Sequence, residues 1–72
     1  MLGADIRKVR RAKGLTLEDL AHRSGLHRTA IQKIESGKHE PRAKTVMSLA
    51  KGLGVEPGVL MDGEAWAHYS KS

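Results

Sequence analysis

Four side chains are suited to recognition chemistry: Arg28, Thr29, Gln32 and Lys33. Their spacing puts them on one face of a helix, each can donate a hydrogen bond, and no carboxylate interrupts the stretch before Glu35. Arg and Lys can donate to O6 and N7 of guanine in the major groove of DNA, and Thr and Gln are shorter or more adaptable readers of base edges. The plainer alternative is that these side chains meet phosphates only. Arg42 and Lys44, just past Pro41, read as a backbone-facing fringe or as ordinary surface. Other chemistries find less support. His22, His27, His39 and His68 show no i, i+4 pairing and have no cysteine nearby, so they read as surface histidines and no metal is expected. Ser, His and Asp all occur, but no strained elbow or glycine-rich nucleophile turn does, so neither an enzyme nor a cofactor is expected.

Such a face works only if it is held on a fixed helix. Glycine after an apolar-periodic run lets a helix end in a left-handed residue, and Gly14, Gly25, Gly37, Gly54 and Gly63 all follow such runs. Thr16 is a good N-cap ahead of Leu17, with Glu18 and Asp19 favoured in the first turn by the helix dipole. Pro41 and Pro57 each suit the opening of a helix. These signals predict helices over residues 3–13, 17–24, 28–36, 42–53 and 57–62. Apolar residues recur at intervals of three and four: Leu2, Ile6 and Val9; Leu17, Leu20 and Ala21; Ile31 and Ile34; Val46, Leu49, Ala50 and Leu53; Val59 and Leu60. The expected fold is an all-α, compact five-helix bundle over residues 1–62, followed by a tail, 63–72, that frays or contacts a second copy. Trp66 and Tyr69, the only aromatics, either cap the chain's own core or form part of a dimer contact.

Seventy-two residues make one domain with one small core, near the lower limit for folding without staples. With no cysteine, helix packing must support it, helped by dimerisation. The longest apolar stretch falls far short of the roughly 20 residues that span a bilayer, and the charged opening MLGADIRKVRR lacks a signal-peptide apolar region, so a cytoplasmic protein with no membrane partner is expected. Thirteen Lys and Arg against eight Asp and Glu give a net charge of +5, which suggests a polyanionic partner. The charge is uneven: Arg7, Lys8, Arg10, Arg11 and Lys13 crowd the first helix, whereas residues 52–72 carry Glu56, Asp62 and Glu64 against Lys71.

Within LEDLAHRSGLHRTAIQKI, Ala21 is small enough for two short helices to cross closely, and Gly25 supplies the positive φ needed to turn between them. Leu20, Leu26, Ile31 and Ile34 fill the wedge and fix the angle, leaving 28, 29, 32 and 33 outward. The run GLTLEDLAHRSGLHRTAIQKIESGKHEPRAKTVMSLAKGLGVEP, extended back through IRKVRRAKGLT, resembles the lambda-repressor-like family, the Cro/CI or xenobiotic-response-element type of helix-turn-helix protein. The resemblance covers about residues 3–62. It implies a five-helix DNA-binding bundle that binds operator DNA as a two-fold dimer and mostly represses transcription.

The same resemblance makes the third helix the recognition helix, with Arg28, Thr29, Gln32 and Lys33 facing bases and Lys38 meeting phosphate. It also matches Arg10 and Glu35 to an interhelical ion pair, for which there is an independent reason: a carboxylate near a helix C-terminus beside DNA needs a cation to compensate it. Two positions depart from the family pattern. Leu17 stands where many relatives carry a phosphate-binding Gln, so clamping there would fall to backbone N–H groups at Leu17 and to Thr16. His27 stands where Ser or Thr often caps the recognition helix; it is a weaker cap, but its ring could reach a phosphate. Arg42 completes the expected phosphate contacts. The function implied is a sequence-specific transcriptional regulator, a repressor or autoregulator acting as a homodimer on a palindromic operator. The alternative is an antitoxin-like or coactivator-like module whose main partner is a protein, a toxin or regulator, with DNA contact secondary.

Overall fold

The computed structural model describes residues 2–71. Six helices follow one another: α1 (Leu2–Ala12), α2 (Leu17–Ser24), α3 (Arg28–Glu35), α4 (Ala43–Leu53), α5 (Pro57–Leu60) and α6 (Gly63–Lys71). The architecture is all-α, and the first five elements fall within two residues of the positions their sequence signals predict. The local causes are visible. Thr16 and Asp19 form a reciprocal capping box: the Asp19 N–H donates to Thr16 Oγ1 at 3.0 Å and the Thr16 N–H donates to Asp19 Oδ2 at 2.9 Å. Gly25 ends α2 at φ 75° with its N–H donating to the Ala21 carbonyl, a left-handed conformation that a Cβ would disfavour.

The sixth helix is the departure from expectation. Gly63 does not end a helix but begins one, because Asp62 accepts from the Glu64 and Ala65 N–H groups at 2.9 and 3.2 Å and caps the segment that follows. Trp66 and Tyr69, three residues apart on α6, both pack against the core, with ring centroids 6.3 Å apart in a stacked arrangement. Of the two roles open to these aromatics, capping the chain's own core is the one this packing shows.

Ile6, Leu20, Ile31, Ile34, Val46, Leu49, Ala50, Leu53 and Leu60 form the core, one or more from each of α1 to α5. Val59 and Met47 are each 55% exposed. The close helix approach that Ala21 suggested between α2 and α3 occurs most tightly between α2 and α4. There a Cβ on Gly52 would lie 3.1 Å from Leu20 Cδ1 and from Ser24 Cβ and N. Gly3 does the same between α1 and α3, since a Cβ there would collide with the Ile34 carbonyl oxygen. These two contacts set how α2 lies on α4 and how α1 runs beside α3, and so determine what stands next to the outer face of α3.

Candidate nucleic-acid interface

The face of α3 is organised by what is buried beneath it. Ile31, Ile34 and Glu35 point inward, while Arg28, Thr29, Gln32 and Lys33 are all exposed. The helix thus presents four side chains able to donate hydrogen bonds, and its single carboxylate is turned away. Glu35 is 3% exposed and Arg10 is 8% exposed. Arg10 Nε donates to Glu35 Oε2 at 2.8 Å and Nη2 donates to Oε1 at 3.0 Å, a bidentate fork between α1 and α3. The third guanidinium nitrogen, Nη1, donates to the Leu15 carbonyl at 2.8 Å, so the α1–α2 turn is tied to the same pair. The hydrogen bonds to Glu35 and its charge hold the Arg10 guanidinium above its usual pKa, against the opposing effect of burial. Arg7 adds a second cation, its Nε donating to Glu35 Oε1 at 3.3 Å. Its pairing with Glu35 escaped the sequence reading, although its place one turn before Arg10 on the same helix face is a signal that could have found it.

Two depressions flank α3. Arg10, Arg11, Thr16, Leu17, Glu18 and Arg28 line the one at the start of α2. Lys33, His39 and Arg42, with Leu26, Ala30 and Pro41 among their neighbours, line the one toward α4. Lys38 is exposed in the loop between α3 and α4, which is anchored to the end of α3: the Lys38 and His39 N–H groups donate to the Lys33 carbonyl at 2.9 and 3.2 Å. Arg42 is exposed at the N-cap of α4. His27 occupies the N-cap of α3 without a side-chain capping bond, which leaves its ring unconstrained by the helix.

Thr16 and Leu17 stand in a different setting from the one their positions suggested. The Thr16 hydroxyl oxygen and N–H both engage Asp19, and Leu17 is half-buried against the core. What remains for an anion at the start of α2 is the outermost N–H groups of the helix, with Arg11 and Arg28 beside them. Arg11 is the cation that composition alone could not place here. Hydrogen bonds from the Thr16 N–H and hydroxyl hold the Asp19 carboxyl below its usual pKa, so it stays charged as a cap. Among the described residues no group of three or more His, Asp or Glu could hold a metal ion, and no helix is long and apolar enough to cross a membrane.

A short capped helix, a glycine turn and a second helix with four exposed hydrogen-bonding side chains and no exposed carboxylate, all held on an all-helical core, define a helix-turn-helix DNA-binding domain. The helix-turn-helix family model matches residues 6–60, and the chain belongs to that family, which makes it a DNA-binding regulator rather than an enzyme. Its relatives include the HTH-type transcriptional regulator y4dJ of Sinorhizobium fredii, 36% identical over 55 residues, covering 76% of this chain and 71% of that protein. Control protein C.BamHI of Bacillus amyloliquefaciens is 35% identical over 63 residues, covering 86% of this chain and 78% of its own length. Other relatives are much longer: the chain spans 22% of the Mycobacterium tuberculosis regulator Rv0023, to which it is 36% identical. Among solved structures, the restriction-modification controller protein C.AhdI of Aeromonas hydrophila superposes with a TM-score of 0.81 at 37% identity, covering 83% of this chain and 91% of that one. The SinR protein in its complex with SinI protein gives a TM-score of 0.79 at 26% identity, covering 89% of this chain and 63% of the other.

Proposed function

We propose that this protein is a repressor or autoregulator of transcription that reads a palindromic operator as a homodimer, with the outer face of α3 in the major groove. The observation that carries the reading is the face itself: four exposed donors at 28, 29, 32 and 33, held rigidly by Ile31 and Ile34, with Glu35 withdrawn and neutralised. Arg28 and Lys33 donate to guanine, and Thr29 and Gln32 reach neighbouring base edges. Lys38, Arg42, His27 and the backbone N–H of Leu17 meet phosphates on the two flanks, and Thr16, whose hydroxyl and N–H engage Asp19, acts there by holding the start of α2.

A molecule measuring 29 × 21 × 20 Å reaches one major groove, and the next on the same side of B-DNA lies about 34 Å away. A second copy supplies the second half-site. Val59, exposed on α5, and the half-buried Met61 beside it are the apolar surface left for that contact once Leu60 and Trp66 are committed to the core. The kinship with regulators named as control and controller proteins supports the regulatory role. The SinR neighbour, solved with SinI protein, supports a protein partner as a second ligand of the domain.

Selection of bound fragments from a random duplex pool tests the reading. Arg28→Ala and Lys33→Ala are each expected to cost about 1–3 kcal/mol at the preferred site and to relax preference at one or two base pairs. Lys38→Ala is expected to weaken all sequences alike. If Arg28→Ala and Lys33→Ala also lowered affinity uniformly, phosphate contact would replace base readout as the role of this face.

A further inference from the structure

One basic surface is not used by the reading above. On α1, Ala4, Arg7, Lys8 and Arg11 follow one another at i, i+3, i+4 and i+7, a single stripe. With Glu35 and Ser36 at the end of α3 they line an open groove of about 590 Å³. The side chain of Ala4 is too short to fill it. The groove has one carboxylate, Glu35, and both of its oxygens are taken by Arg10 and by Arg7 Nε. Arg7 hydrogen-bonds Glu35 through Nε alone, and the Lys8 ammonium and the Arg11 guanidinium have no ion-pair partner among the described residues. Arg11 also lines the depression at the start of α2, beside Arg28. Gly3 sits against the end of α3, and Arg11 shares the depression at the start of α2 with Arg28, the first residue of α3.

We propose that Arg7, Lys8 and Arg11 form a phosphate-binding strip on α1 that holds the DNA backbone alongside the major groove entered by α3. The proposal rests on the DNA-binding reading and extends it to a helix outside the helix-turn-helix motif. From Arg7 to Arg11 the helix rises about 6 Å, which spans roughly two phosphates at about 3.4 Å of duplex axis each on one strand. Arg7 is divided between two tasks: Nε holds the guanidinium on Glu35, and the side chain, 41% exposed, offers its Nη groups to the anion. The buried carboxylate that keeps α3 free of outward negative charge thus also positions a cation for the backbone.

The test compares wild type, Lys38→Ala and Lys8→Ala/Arg11→Ala on a random duplex between 50 and 200 mM salt, with circular dichroism to verify that each variant is folded. Each phosphate contact contributes about 0.9 to the slope of log affinity against log salt. The double variant is expected to lose about 1.8 of slope per bound subunit, so its affinity changes roughly 12-fold less across that range. Interference by ethylation at about two backbone phosphates should vanish with it. A double variant that keeps the wild-type slope and ethylation pattern, while Lys38→Ala loses slope, overturns the strip and leaves the DNA reading standing. Wild type that binds duplex with no salt dependence overturns both. A third arm titrates inorganic tripolyphosphate at fixed ionic strength. Saturable micromolar binding lost in the double variant would make the groove a site for free anions and overturn its assignment to DNA, whereas only weak, non-saturating competition is expected.

Discussion

Replacing Arg10 with Ala would remove three hydrogen bonds at once, of 2.8 and 3.0 Å to Glu35 and of 2.8 Å to the Leu15 carbonyl. At 3% exposure Glu35 cannot recover its hydration without separating α1 from α3. Arg7 remains within 3.3 Å, and with its side chain 41% exposed it can turn inward and compensate in part. Breaking a buried pair by deleting one partner costs about 3–5 kcal/mol, against 0 to about 1 kcal/mol for an exposed pair. With Arg7 present the expected loss is at the low end, about 3 kcal/mol. A domain of this length has on the order of 4–11 kcal/mol of total stability, so the loss removes a large share of it and lowers the melting midpoint by roughly 12–24 °C. Urea denaturation with the m-value held in common would measure it. Arg10→Met/Glu35→Leu, which replaces both charges by apolar groups, should recover most of the loss, because no charge is left buried alone. An Arg10→Ala variant less than about 1 kcal/mol below wild type, or a double variant no better than the single one, would refute the argument.

Other substitutions probe other links. Gly3→Ala should destabilise by about 1–3 kcal/mol despite the better helix propensity of Ala, because its Cβ meets the fixed Ile34 carbonyl. Gly63→Ala, with nothing within 4 Å of the new Cβ, should be neutral or raise the melting midpoint. The lowered pKa of Asp19 means that its capping contribution is complete above the unfolded carboxyl's pKa and is lost as pH falls through the lower folded value. Thermal melts from pH 5 to pH 2 should therefore show a smaller acid-induced drop in Asp19→Asn than in wild type, and equal drops would deny the cap that role. Trp66→Ala should cost about 2 kcal/mol in a melt whose midpoint loss does not depend on protein concentration. A loss that appears only where dimer forms would place Trp66 at an interface instead of on the core.

Most of the helical framework could be read from the chain because its causes are local. Gly25 and Gly54 ending helices, Thr16 opening one and the three- and four-residue apolar spacing act within a few residues, and the structure places α1 to α5 where they point. The donors at 28, 29, 32 and 33 could be assigned one face for the same reason: helical periodicity alone separates them from Ile31 and Ile34. Even α6 carried a local mark, Asp62 three residues ahead of Ala65, but a nine-residue helix is marginal in isolation, and its support comes from Trp66 and Tyr69 lying on the core. What only the tertiary structure decided is where distant elements converge. Arg7 and Glu35 are 28 residues apart and no spacing rule links them, and Arg10 and Glu35, 25 apart, could be matched beforehand only through the family resemblance. Gly3 against the Ile34 carbonyl and Gly52 against Leu20 and Ser24 set the helix distances that bring those side chains together. Val59 and Leu60 are neighbours on one short helix, yet Leu60 is buried and Val59 is 55% exposed, a division set by which side of α5 meets the core. Propensity and periodicity act along one helix at a time, whereas the position of Arg11 beside the start of α2, and of a basic stripe beside α3, depends on how closely two backbones can approach.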